Sequence, residues 1–506
     1  MNTEPCYNLR VSEIGGDHLD HSFEVDLNVV KERAVRGIAI LIGRGFFLNA
    51  VAQVSLFFLL AFLSPEEIGL FWIVSAVVGF LIFFSDVGLA AALIQKREKP
   101  TVTELRTTFL VQQALVITLL FALFLASPLI GDFYNLSSEG RLLLFALGAG
   151  LFLSSLKSIP SVLLERSLRF GRFVLPELLE SLVYSISVVY FAWQGFGVRS
   201  FAYAVLLRGI VGVVSIYVLQ PWMPGLAFSK EALRGLLRFG IPYQANNLLS
   251  LIKDRGVTLA LGAVVGNRGV GFFGTAERVS QMPLRFFLDP TTKVSFPAFS
   301  RMQEHREQLS KSVTRAVMFI TFLVYPVVVG ILVTAPVIFE VIPNRFKEWE
   351  PVLVPLFFLS VNVLFAAPTT LLTSMLMAIG KIKVVSKLVV MWTVLTLIFV
   401  PGLGHFFGIN GAAAGNAIVS STSVIAIYIA RKLVPFSIYE GIIKVLLTTA
   451  VMGVVVYALR VVLEPTLANL IVMIAAGGVT YTVSSYLIIG PSIVADARKI
   501  AKNFFG

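Results

Sequence analysis

The chain has 506 residues, 57% of them hydrophobic and only 14% charged, with a mean hydropathy of +0.86. A soluble chain of this length carries about a quarter charged residues to solvate its surface, so the composition excludes a soluble enzyme and points to a membrane protein. One cysteine, Cys6, excludes an internal disulfide and a cysteine metal cluster, and the histidines (His18, His21, His305, His405) are scattered, so neither metal nor cofactor is expected.

Residues 1–36 open the chain as a polar and rather acidic stretch (Glu4, Glu13, Asp17, Asp20, Glu24, Asp26) that reads as a soluble tail, not a cleavable signal peptide. Apolar segments follow at 38–62, 68–93, 109–131, 142–163, 174–194, 200–220, 241–264, 270–297, 315–342, 352–379, 384–404, 410–430, 441–463 and 466–490. Each is long enough for a membrane-spanning helix, which predicts an all-α, polytopic protein with about fourteen spans. Helices satisfy their backbone hydrogen bonds within one segment, as lipid demands, and the segments lack the ten-residue alternation of a membrane barrel. The segments between 241 and 297 are the ones interrupted by charge.

Basic clusters recur in alternate connections. They are Lys96–Arg97–Lys99, Arg166–Arg169–Arg172, Lys230–Arg234–Arg238, Arg301–Arg306–Lys311–Arg315, Lys381–Lys383–Lys387, Arg431–Lys432 and Arg498–Lys499–Lys502. The intervening connections hold only Arg141, Arg199, Arg268, Arg345 and Lys347 as cations. The positive-inside rule then puts both termini in the cytoplasm. It also accounts for the net charge of +12 without a nucleic-acid partner.

Two stretches repeat at a spacing of six spans. Phe83–Phe84–Ser85–Asp86 matches Phe286–Phe287–Leu288–Asp289, with Asp86 seventeen residues after Gly69 and Asp289 eighteen after Gly271. Phe196–Gly197–Val198 through Ser215–Ile216–Tyr217 aligns without gaps to Phe407–Gly408–Ile409 through Ala426–Ile427–Tyr428. An even spacing makes the repeat parallel, about an axis along the membrane normal, with a substrate path expected between the halves. The expected divisions are a six-helix bundle at 37–220, a cytoplasmic linker at 221–240 and a second bundle at 241–432. Two additional spans at 433–490 and a cytoplasmic tail at 491–506 complete the chain.

Ionisable residues inside the spans are the candidate functional groups: Arg44, Lys157, Glu177, Glu180, Arg208, Lys253, Asp254, Arg255, Glu277, Arg278, Arg285 and Asp289. Each costs roughly 2.5–3.5 kcal/mol at mid-helix, so they need a wet cavity or one another. Helical steps collect them into polar stripes: Arg44, Asn49 and Gln53; Ser154, Lys157, Ser158, Ser161 and Glu165; Glu177, Ser181, Tyr184 and Ser187; Gln244, Asn247, Ser250 and Asp254; Glu277, Gln281, Arg285 and Asp289. Arg44, Arg208, Arg285, Lys253, Asn247 and Gln281 are the candidate substrate-binding residues, since guanidinium pairs with planar oxyanions in a fork. Asp254, Glu277, Asp289 and Glu180 are candidates for ion coupling or for structural pairing. Lys157 and Glu177 either snorkel to the interface or face the cavity. Asp254 beside Lys253 and Arg255, and Glu277 beside Arg278, either pair locally or serve the cavity. No phosphate loop, zinc-protease helix or nucleophile elbow occurs in the sequence, so no catalytic residue is expected.

Particular stretches resemble the polysaccharide transporters of the multidrug/oligosaccharidyl-lipid/polysaccharide flippase superfamily, the Wzx-like O-antigen and exopolysaccharide flippases. They are Leu63–Ser64–Pro65–Glu66–Glu67–Ile68–Gly69–Leu70, Phe84–Ser85–Asp86–Val87–Gly88–Leu89–Ala90–Ala91–Ala92–Leu93–Ile94–Gln95, Leu168–Arg169–Phe170, Phe239–Gly240–Ile241–Pro242 and Gly269–Val270–Gly271–Phe272–Phe273. The resemblance spans about residues 35–430. It implies two six-helix bundles around a central cavity in the inner membrane. It also implies transfer of an undecaprenyl-diphosphate-linked oligosaccharide to the outer leaflet, driven by a proton or sodium gradient and in company with other polysaccharide-assembly proteins. The cationic cavity role would fall on Arg44, Arg208 and Arg285. The alternatives are an ion-coupled multidrug exporter of the same superfamily, with a more acidic or aromatic cavity, and a membrane glycan polymerase or ligase, which carries a large outer loop.

Overall fold

The computed structural model describes residues 27–490 except 97, 168, 169, 342 and 343, with side chains from residue 43 onward apart from 170, 245–247, 249, 250, 344 and 345. The tail with Cys6, the C-terminal tail, the Leu168–Arg169 motif and the Asn247 side chain lie outside the described residues. Among the described residues every regular element is a helix.

The first half runs α1 (Leu27–Phe62), α2 (Pro65–Phe84), α3 (Leu89–Gln95), α4 (Val102–Phe133), α5 (Ser138–Leu156), α6 (Ser158–Arg166), α7 (Phe170–Trp193) and α8 (Arg199–Leu219). The second half runs α9 (Lys230–Leu251), α10 (Val257–Pro283), α11 (Asp289–Arg301), α12 (Arg306–Val341), α13 (Leu353–Ala378), α14 (Ile382–Ser421) and α15 (Ser423–Leu433). Helices α16 (Lys444–Val462) and α17 (Leu467–Ile488) follow. Single π-turns at Ile252–Gly256 and Leu284–Leu288 join α9 to α10 and α10 to α11. Helix α1 begins inside the stretch read as a tail, and α9 begins inside the stretch read as a linker.

Twelve helices are long and apolar enough to cross a membrane among the described residues, against the expected fourteen. The difference lies in two continuous runs, Ile252–Arg301 of 50 residues and Ile382–Leu433 of 52 residues. At 1.5 Å per residue each is more than twice the roughly 30 Å hydrocarbon thickness. Each also contains one non-helical glycine where the path turns, Gly266 (φ 67°) and Gly408 (φ 62°). Gly197, which the repeat aligns with Gly408, likewise has a positive φ of 55°.

Entry into the helices is written in short caps. Ser64 accepts the amide of Glu67 while the Glu67 carboxylate accepts the Ser64 amide, with Pro65 opening the helix; Thr101 and Glu104 repeat this box at α4. The second predicted span is broken between α2 and α3. Val87 (φ 50°) and Gly88 (φ 77°) are both left-handed, and the Asp86 carboxylate caps the restart by accepting the Ala90 amide at 3.1 Å.

Helix α2 is the seam between the two halves. A Cβ on Gly69 would stand 1.8 Å from the Asn267 carbonyl oxygen, and one on Gly271 the same distance from that of Pro65. Trp72 covers Gly274 one turn further along. At the other end of the seam Gly88 meets the backbone of Gly240, and the Gln244 amide donates to the Phe83 carbonyl. Both ends are therefore closed by contacts that only glycine permits. The largest buried cluster spans the seam, with Leu56, Ile73, Phe201, Leu261, Phe272, Trp349 and Ala413. Helices α16 and α17 pack on α12 through Val337, Met452, Val456 and Met473, and Tyr481 donates to the Phe322 carbonyl at 2.9 Å. Phe121, Phe124, Leu125 and Leu129 stand exposed along one side of α4, as acyl chains require.

Candidate substrate cavity

The first half encloses a cavity of about 830 Å³. Its walls come from α1, α2, α5, α6, α7 and α8, with Ala90 and Ile94 of α3 and Gln112 of α4, and Arg255 reaches it from the first π-turn. The polar stripe of α5 and α6 lines it with Ser154, Lys157, Ser158, Ser161 and Glu165, and that of α7 with Glu177, Glu180, Ser181 and Tyr184. Lys157 is placed by an interruption: it is both the C-cap of α5 and the N-cap of α6.

The charges form an alternating chain across the cavity wall. Arg44 pairs with Glu177 through Nε and Oε2. Lys157 Nζ donates to Glu180 Oε1, while Arg208 Nε stands 3.4 Å from Glu180 Oε2. Glu180 is the most enclosed of this second group, its side chain 8% exposed against 16% for Lys157 and 51% for Arg208. The Arg208 guanidinium also lies 5.8 Å from the centre of the Tyr184 ring, a cation–π arrangement. Small residues make the room. Gly212 on α8 leaves the space that Glu180 fills, for a Cβ there would be 2.2 Å from Oε1; Gly79 on α2 does the same for Arg255.

A second charged group runs along the π-turns of the other half. Lys253 and Asp254 are 3.7 Å apart, and Gln281 Nε2 donates to Glu277 Oε1 at 3.2 Å. Lys253, Asp254, Arg278 and Arg285 are the charged neighbours of Glu277, and Lys293 and Arg285 those of Asp289. Arg278 does not form an ion pair with Glu277; it lies 5.7 Å from the ring centre of Trp72 on α2. Arg278 and Arg208 are both charged neighbours of Tyr184, which links the two groups.

Of the expected binding residues, Arg44 and Arg208 line the cavity, with Glu180 from the ion-coupling set. Lys253, Arg285, Gln281, Asp254, Glu277 and Asp289 fall in the second group instead. Glu177 and Lys157 are ion-paired and line the cavity. Arg255, already among the ionisable candidates, lines the cavity together with Tyr184, and Arg278 stays with the second group. Tyr184 was visible as a stripe position, whereas nothing in the sequence separates Arg255 from its neighbour Lys253. The four cations of the lining, Arg44, Lys157, Arg208 and Arg255, are equalled in number by its carboxylates Asp86, Glu165, Glu177 and Glu180. No group of residues suited to a metal ion occurs among the described residues.

By fold the protein is a multi-pass membrane protein of the architecture found in solved flippase and drug-transporter structures. It is similar to the lipid II flippase MurJ in an inward closed conformation, with a TM-score of 0.68 and 15% identity over 91% of this chain and 98% of that one. It is also similar to an inward-facing multidrug resistance MATE family transporter of the MOP superfamily, with a TM-score of 0.57 and 18% identity over 76% of this chain and 94% of that one. A family model described as "Polysaccharide biosynthesis protein" matches residues 59–351, more than half the chain, and the protein belongs to that family. Relatives include the lipopolysaccharide biosynthesis protein WzxC of Escherichia coli, 25% identical over 72% of this chain and 74% of its own length. The succinoglycan biosynthesis transport protein ExoT of Rhizobium meliloti is 23% identical over 58% of this chain and 59% of its own length. The teichuronic acid biosynthesis protein TuaB of Bacillus subtilis is 22% identical over 78% of this chain and 83% of its own length.

Proposed function

We propose that the protein is a flippase that carries an undecaprenyl-diphosphate-linked oligosaccharide from the cytoplasmic to the outer leaflet of the inner membrane by alternating access. On this reading it does so for the synthesis of a surface or exopolysaccharide. The observation that carries this reading is the polar cavity of about 830 Å³ among membrane-crossing helices, with the half-exposed guanidinium of Arg208 on its wall. A hydrated glycan needs a wet cleft, and a lipid diphosphate needs cationic donors. Membership of a polysaccharide biosynthesis family and likeness to a lipid II flippase support it. Residues 37–220 and 241–432 act as two bundles that rock about the seam at α2, and 433–490 adds two helices outside them. Both termini are cytoplasmic, and a proton or sodium gradient supplies the energy through carboxylates of the Glu277 and Asp289 group.

Deleting the gene stops one surface polysaccharide and leaves its lipid-linked repeat unit on the cytoplasmic face. In the deletion strain Arg208→Ala fails to restore export although the protein accumulates normally. Arg208→Lys restores it only in part, because an ammonium lacks the bidentate fork. Normal polysaccharide together with raised sensitivity to cationic dyes would refute the reading and favour a drug exporter.

A further inference from the structure

The arrangement of Lys157, Glu180, Arg208 and Gly212 has a feature that a simple cationic binding site does not need. Two cations of the cavity lining, Lys157 and Arg208, are already occupied, and their occupant is a carboxylate of the protein itself. Glu180 places one oxygen on Lys157 and the other 3.4 Å from Arg208, so both oxygens are directed at cations on two other elements. It reaches them through a space kept open by Gly212, where a single methyl group would collide with Oε1 and stand 2.9 Å from Lys157 Nζ. Glu177, one turn earlier on α7, is separately held by Arg44 and is not available to replace it.

From this we propose that Glu180 is an internal counter-anion. It holds Lys157 and Arg208 in the empty transporter and is displaced from them when the anionic group of the substrate arrives. The proposal rests on the flippase reading and adds a residue that sets which anions can enter. Removing one partner from a buried pair leaves an uncompensated charge, so Lys157 and Arg208 do not stand bare while the cavity waits for substrate. An anion must therefore compete with a tethered carboxylate. A diphosphate carries more charge and more acceptor oxygens than Glu180, and can engage Lys157 and the Arg208 fork together. A monoanion offers no more than Glu180 already does. Binding becomes an exchange of anions, and the cavity discriminates by charge before any sugar is read.

The test is the affinity of inorganic pyrophosphate for the purified full-length protein in phosphatidylcholine nanodiscs, by titration calorimetry. Wild type binds it in an Arg208-dependent manner, and Glu180→Gln binds about tenfold more tightly because the tethered competitor has lost its charge. Gly212→Ala, which changes no charge but removes the space Glu180 occupies, also binds more tightly. Inorganic phosphate binds wild type weakly and gains more from Glu180→Gln than pyrophosphate does. If wild type binds pyrophosphate through Arg208 but both variants bind it equally or less well, Glu180 is only a structural partner and the proposal falls. Should Glu180→Gln not fold, the Gly212→Ala titration decides alone. If wild type shows no Arg208-dependent binding at all, the anion role of Arg208 fails first and takes this proposal with it.

Discussion

Gly271→Ala tests whether the α2–α10 seam depends on backbone contact. Gly271 is buried within α10 and its added Cβ would lie 1.8 Å from the Pro65 carbonyl oxygen, where ordinary contact begins at 3.4 Å. The helices must then part by roughly 1.6 Å along that line, an overpacking that costs about 1–3 kcal/mol. Alanine also repays about 0.5–1 kcal/mol of helix propensity, so the net effect is a loss of up to about 2.5 kcal/mol. Gly330, in α12, has nothing within 4 Å of an added Cβ, and Gly330→Ala takes the propensity gain without the collision. Thermal denaturation of the purified variants in one detergent should move the two midpoints in opposite directions from wild type. A Gly271→Ala protein at least as stable as Gly330→Ala would show that the seam is not held by glycine contact.

One further substitution and one labelling experiment probe the fold. Trp349 is fully buried and donates through Nε1 to the Leu60 carbonyl at 3.1 Å, satisfying one of the orphan acceptors at the end of α1. Trp349→Phe leaves that carbonyl unpaired and destabilises by about 1–3 kcal/mol, read as a lowered denaturation midpoint; an unchanged midpoint refutes the role of the bond. Cys6 is the only thiol, so a membrane-impermeant maleimide labels it in inside-out vesicles and not in intact cells if the N-terminus is cytoplasmic, and labelling of intact cells would overturn the orientation.

Hydropathy made the helices legible because lipid-facing residues such as Phe124 and Leu129 carry their environment in their chemistry. The caps at Ser64 and Thr101 follow the Ser/Thr-x-x-Glu pattern, which hydropathy does not single out. What the sequence hid was partnership. Lys157 and Glu180 are 23 residues apart and meet only because α5 stops at Lys157 while α7 returns beside it. A stripe of polar residues says that a helix faces water, and does not say whether its cations are free or matched. The continuity of α9 into α10 as far as Gly266, and of α10 beyond it into α11, was hidden for a related reason. A π-turn leaves no pattern in hydropathy, so the charges at Lys253 and Arg285 read as interruptions of a span when they lie on turns within unbroken helix.

The seam along α2 has a consequence for length. Between Gly69 and Phe84 the helix rises about 22 Å, and each residue turns it by about 100°. Its glycine face at one end and the Phe83 carbonyl that receives Gln244 at the other must both address the opposite half at once. One residue inserted between them would aim the two docking points a quarter-turn or more apart, so that either could engage but not both. Substitution along the outer face of α2 is cheap by comparison. The helix works as a gauge whose residue number is fixed even where its residue types are free, and an engineered insertion of four residues, close to one full turn, is the smallest that would restore the aim of both ends, though it would set them about 6 Å further apart.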